Sequence, residues 1–81
     1  MSDYFKEIVR TLDDLLIPVT SSDIAGIIGG NSRKVQNAIN YERDKGSELI
    51  KVERDPSNNN RNTYSINREY FNFWVNTNGP M

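Results

Sequence analysis

Asn31 to Gly46, NSRKVQNAINYERDKG, is the stretch on which the reading of this chain turns. Asn31 and Ser32 are capping residues, with short polar side chains that accept from the free N–H groups of a first helical turn. Val35, Ala38 and Ile39 then recur at three- and four-residue spacing, and Gly46 ends the run. The spacing predicts one helix over residues 32–45. Its other face carries Arg33, Lys34, Gln36, Asn37, Asn40 and Tyr41. These cations, amides and one aromatic suit phosphate oxygens and base edges.

Working upstream, Thr20-Ser21-Ser22-Asp23 reads as a capping box, Thr20 serving the amide near Asp23 and Asp23 returning the bond. A short helix over residues 21–28 follows, burying Ile24, Ala25 and either Ile27 or Ile28. Gly29 and Gly30 stop it, one of them at a positive φ that glycine adopts cheaply. A short capped helix, a glycine turn and a second capped helix make a helix-turn-helix layout. Before it, Phe5, Ile8, Val9, Leu12, Leu15 and Leu16 mark an amphipathic helix over 3–16, capped by Ser2 or Asp3. Pro18 ends that helix, because the residue before a proline is pushed out of the helical region.

Working downstream, Leu49 to Arg54 and Thr63 to Asn67 alternate polar with branched or aromatic residues, so both read as strands. The intervening DPSNNNRN, residues 55–62, is rich in turn formers. Two strands around a polar loop, directly after a helix-turn-helix, read as a wing, and Arg61 in its loop suits a minor groove. Residues 68–75 are expected to form a short final helix capped by Asn67, with Tyr70, Phe71, Phe73 and Trp74 concentrating apolar surface. That segment either folds back on the first helix to complete the core or forms a homodimer interface.

Residues 32–50, SRKVQNAINYERDKGSELI, resemble the bacterial and phage winged helix-turn-helix pattern. That pattern has a polar start, a valine, an Ala-Ile pair and a charged end before a glycine and a strand. The Gly46-x-x-Leu49-Ile50 spacing is similar to the DNA-binding domain of biotin-repressor-type regulators. The stretch KVERDPSNNNRNTYSINREYF is similar to winged domains of phage and plasmid replication initiators. The resemblance spans residues 5–71 and implies an α+β fold. Its expected parts are three helices, a two- or three-stranded β-wing and a short C-terminal helix, all in one domain over residues 1–81. One position departs: the family buries a leucine one turn after Ile39, and here stands Glu42. A buried unpaired carboxylate is costly, so Glu42 is expected at the rim, with Tyr41 taking over part of its packing.

Composition narrows the function classes. The chain has no histidine and no cysteine, which removes the usual neutral-pH base, thiolate metal sites and disulfides. Asp13 and Asp14 are adjacent and point about 100° apart on a helix, so they cannot share a substrate. No glycine-rich phosphate loop or serine elbow is present. The expectation is a non-enzyme without cofactor or metal. With no apolar run long enough to span a bilayer and no signal-like opening, the chain is expected to be cytoplasmic. Net charge is −1, but it is unevenly spread. Residues 1–30 carry Lys6 and Arg10 against Asp3, Glu7, Asp13, Asp14 and Asp23, a net −3. Residues 31–68 carry eight cations against five acids, a net +3. Such a molecule can turn one face to phosphate while the other stays in solvent.

The expectation is therefore double-stranded DNA binding with the helix at 32–45 in the major groove. Arg33 suits guanine; Gln36 and Asn37 suit adenine; Asn40 is a further base contact; Tyr41 is shared between DNA and core. Thr20, Ser21, Ser22 and Lys34 would hold phosphates, using a helix amino terminus as an anion site, and Ser32 lies with Arg33 on the DNA-facing side. Lys51, Asn59, Asn60 and Arg61 would set the wing on the backbone or in the minor groove. A small phage- or bacterial-type transcriptional regulator is the leading role. A replication or mobile-element accessory factor and a protein–protein interaction module are the alternatives.

Overall fold

The computed structural model describes residues 2–72, an α+β arrangement of helices packed on an antiparallel β-hairpin. Helix α1 spans Asp3–Leu15, α2 spans Ser21–Ile28 and α3 spans Ser32–Asp44. Strands β1 (Ile50–Asp55) and β2 (Arg61–Ile66) are joined through a 3-10 turn at Pro56–Asn58, and residues 68–72 are helical. Phe73 and Trp74, named for the C-terminal aromatic segment, lie outside the described residues.

Each helix starts on its own cap. Ser2 Oγ accepts from the Phe5 N–H, and Asn31 Oδ1 from the Lys34 N–H at 2.8 Å. At α2 the expected capping box is complete: Thr20 Oγ1 accepts from Asp23 N–H and Asp23 Oδ2 from Thr20 N–H, both at 3.2 Å. The stops differ. Gly29 ends α2 at φ 81°, the positive-φ glycine that the sequence requires. Leu16 ends α1 at φ 62°, where a leucine is disfavoured by about 1–2 kcal/mol. The apolar stripe of α1 was expected to run through Leu16; instead the left-handed cap swings that side chain out, and it is 75% exposed.

Gly30 serves a close approach. A Cβ there would stand 2.5 Å from Tyr4 Oη, so a larger residue would push the end of the Tyr4 ring aside.

Phe5, Ile8, Val9 and Leu12 of α1 meet Ile24 and Ala25 of α2, Val35 and Ile39 of α3, and Leu49, Ile50 and Tyr64 of the hairpin. Phe71 closes this core and Tyr70 packs half-buried against it. In α2 the choice left open resolves to Ile28, which packs on the core, while Ile27 faces out.

The sheet is two-stranded, in the register Ile50↔Ile66, Val52↔Tyr64, Asp55↔Arg61. Both strands are displaced from the expected 49–54 and 63–67. The loop is only Pro56–Asn60, because Asn59 (φ 54°) and Asn60 (φ 58°) are both left-handed and turn the chain back at once. Asparagine tolerates that conformation better than most residues. Asp55 Oδ1 locks the entry, accepting from Ser57 N–H at 3.0 Å and Ser57 Oγ at 2.7 Å. One further pairing lies outside the hairpin. Val19, just after Pro18, makes an antiparallel bridge to Tyr64, with N···O distances of 3.0 and 2.7 Å.

Glu42 corrects the expectation of a rim position. Residues 35, 39 and 42 fall on one helical stripe, and Glu42 is only 7% exposed. Its backbone carbonyl accepts from both Lys45 and Ser47 N–H groups, which fold the chain after α3 over it. Among the described residues Tyr4 Oη is the enclosed side-chain polar atom without a partner. Tyr41, correspondingly, does not take up packing; it is 63% exposed, with Lys45 Nζ 5.0 Å from its ring centroid.

A Cβ at Gly29 would meet nothing within 4 Å, so Gly29→Ala tests backbone conformation alone. It should cost about 1 kcal/mol, seen as a melting-point drop of about 4–8 °C by circular dichroism. Gly29→Asn should recover part of the loss.

Candidate nucleic-acid interface

The capping box of α2 and the start of α3 face each other across a cleft of about 440 Å³. Its walls are Thr20, Ser21 and Ser22 from α2, Ser32 and Gln36 from α3, and Arg61, Asn62 and Tyr64 from β2. The Val19–Tyr64 bridge sets this geometry. It pins the residue just before the α2 cap to the middle of β2, so the amino terminus of α2 must sit beside the hairpin.

The chemistry of the cleft is one-sided. Its lining holds, among the described residues, three serines, a threonine, two amides, a tyrosine and one guanidinium, with the Asp23 carboxylate of the capping box held back on the Thr20 N–H. Two helix amino termini add their partial positive charge. Hydroxyls, amides, Arg61 and helix-end N–H groups are the donors by which proteins hold phosphate oxygens.

Gln36 has a structural task. Its Nε2 donates to Ser21 Oγ at 3.0 Å, tying α3 to the first turn of α2. Ser21 and Thr20 are themselves buried, whereas Ser22 is exposed and Ser32 half-buried. Arg33, Asn37 and Asn40 are exposed and, at spacings of four and three, form a row on the side of α3 away from Val35 and Ile39.

Two cations expected in this group lie elsewhere. Lys34 Nζ sits 4.4 Å from the centroid of the Tyr4 ring, directed toward α1. Lys51 pairs with Glu53 at 3.1 Å and lines a separate groove near the end of α1. Asn59 and Asn60 are exposed at the hairpin tip, outside the cleft wall. Thus the structure gathers Thr20, Ser21, Ser22, Ser32, Gln36 and Arg61 into one site, and sets Arg33, Asn37, Asn40 and Tyr41 along the exposed side of α3.

Asn62 and Tyr64 are cleft residues that the sequence reading did not single out. With β2 beginning at Arg61, Asn62 and Tyr64 share one strand face by simple alternation. The signal was present, but a strand start placed at Thr63 hid it.

Comparison with known proteins found no matching family model, no matching curated protein and no matching solved structure. Among the described residues no helix is long and apolar enough to cross a membrane, and no cluster of acidic, histidine or cysteine residues suits a metal.

Gln36→Ala should cost about 1 kcal/mol by urea unfolding, through loss of its bond to buried Ser21. Asn37→Ala, an exposed neighbour, should change stability by less than about 0.5 kcal/mol.

Proposed function

We propose that this chain is a winged helix-turn-helix domain that binds double-stranded DNA. The observation that carries this reading is the hydroxyl- and amide-lined cleft where two helix amino termini meet Arg61 of the hairpin, with the exposed row of α3 beside it. The order of three capped helices and a hairpin is compatible with that fold, with Val19 adding a short third edge to the sheet.

In this mode α3 enters the major groove. Arg33 reads guanine through its two-pronged guanidinium, and Asn37 and Asn40 read adenine edges. Gln36 keeps α2 and α3 in register and has its carbonyl oxygen left to accept. Ser22, Ser32 and the helix-end amides hold the phosphate backbone, and Arg61 with Asn62 fixes the hairpin against it. The basic half of the chain supplies the attraction, while acidic α1 stays in solvent. A small transcriptional regulator of phage or bacterial type is the role that best fits such a domain, ahead of a replication or mobile-element accessory factor. Use of the fold for protein contact is favoured by one observation, the exposed Ile27 bordered by Glu7, Arg10 and Asp14 on the α1 side.

Fluorescence anisotropy on duplexes selected from a random pool tests the reading. Affinity should fall steeply and log-linearly with salt as counterions are released. Arg33→Ala should relax base preference by about 1–3 kcal/mol at one position, while Arg61→Ala should weaken all duplexes alike. Binding that is absent at low ionic strength, or indifferent to salt, overturns the proposal.

A further inference from the structure

We infer that Ser21 is a positioning residue that makes Gln36 a reader of amino bases, adenine or cytosine, against keto bases. The inference rests on the proposed entry of α3 into the major groove and adds what one of its side chains selects there.

Gln36 is exposed on α3, beside the row formed by Arg33, Asn37 and Asn40. A free glutamine is ambiguous toward a base. Its amide carries an acceptor oxygen and a donor nitrogen of nearly the same shape, and a half-turn about the last torsion exchanges them. Such a group meets an exocyclic amine with its oxygen or a base carbonyl with its nitrogen, and so discriminates poorly. Here the exchange is blocked. Nε2 donates to Ser21 Oγ at 3.0 Å, so the nitrogen is committed to the protein and the oxygen takes the other branch of the planar amide. Asn37 and Asn40 have no such tether, since no side-chain hydrogen bond among the described residues holds either amide.

The anchor is firm. Ser21 is buried and is the first residue of α2, directly after the Thr20 cap with its reciprocal bonds to Asp23. Two residues before Ser21, Val19 is paired to Tyr64 through both its N–H and its carbonyl. The backbone that carries Oγ is therefore held on both sides. In the major groove, adenine N6 and cytosine N4 offer donors to the oxygen of Gln36, whereas guanine O6 and thymine O4 set lone pairs against it. An acceptor brought against an acceptor leaves both desolvated and unpaired, which costs more than a hydrogen bond gains.

Base preference is measured by anisotropy on duplexes that carry each base pair in turn at the position where Gln36→Ala erases the preference. The measurements are made at a temperature where circular dichroism shows every variant folded. The parent should favour adenine or cytosine on the contacted strand by about tenfold. Ser21→Ala should cut that ratio below about threefold with the salt dependence unchanged, and Ser21→Thr, which keeps the hydroxyl, should restore it. Adding Gln36→Glu to Ser21→Ala should also restore it, because a carboxylate has oxygen on both branches and nothing to exchange. In the free protein, NMR relaxation should find the Gln36 amide more ordered than those of Asn37 and Asn40, and Ser21→Ala should release it. A preference for guanine or thymine overturns the inference, as does a Gln36→Ala variant that keeps the parent's preference at every position. So does a Ser21→Ala variant that weakens all duplexes alike with the ratio preserved, the mark of a brace between helices and nothing more. A Gln36 amide as mobile as that of Asn37 overturns it too. In each of these cases salt-dependent binding by the parent leaves the DNA reading standing; duplex binding that is absent or indifferent to salt overturns that reading and the inference with it.

Discussion

Two hydrogen bonds between Val19 and Tyr64 fix how this molecule's helices sit against its hairpin. The first half is a set of helices whose caps and stripes are local matters, each settled within a few residues. The second is a hairpin whose register is settled by its own turn. Beside the shared apolar core, what aligns them is a single residue of extended backbone after Pro18, paired with the middle of β2. Val19 buries its side chain in the same step. Because Thr20, the α2 cap, is the next residue, the joint also decides what faces the hairpin: a helix amino terminus and its hydroxyls. The cleft exists because a structural bond and a polar helix end are adjacent in sequence.

Much of the fold was legible. Helix spacing, the capping box and the glycine stop each rest on short-range physics, and Phe5, Ile8, Val9, Leu12, Ile24, Val35 and Ile39 are all in the core where the pattern sets them. The misreadings came where two local rules compete. Leu16 satisfies the apolar stripe, yet Pro18 two residues on ends the helix before it, and the cap conformation turns it outward. Glu42 satisfies the stripe by position and violates it by charge. Position prevails: Glu42 is buried with Val35 and Ile39 on the stripe. Arg61 and Asn62 have weak strand preference, so they read as loop. The left-handed asparagines, which a sequence shows only as turn formers, close the hairpin early enough to bring both into the ladder.

The site was legible in kind more than in arrangement. Hydroxyls, amides and cations at the starts of α2 and α3 and in β2 are visible as residue types. Which of them converge depends on long-range contacts. Lys34 is drawn over Tyr4, a direction no spacing rule supplies, and Lys51 toward Glu53, its neighbour on the same strand face. Gln36 likewise looks like a base reader by its exposed position, and only its distance to Ser21 reveals that it also fastens two helices.

The hairpin tip has a consequence for recognition as a thermodynamic event. Asp55 closes the turn entry through Ser57, and Asn59 and Asn60 hold fixed left-handed conformations. Their backbone freedom is therefore given up when the chain folds, long before any partner arrives. A surface that meets this tip encounters a shaped object and need not order a loose loop, so less of the contact free energy is spent against entropy. An asparagine-rich sequence, which on composition alone suggests slack, is here a means of pre-organisation.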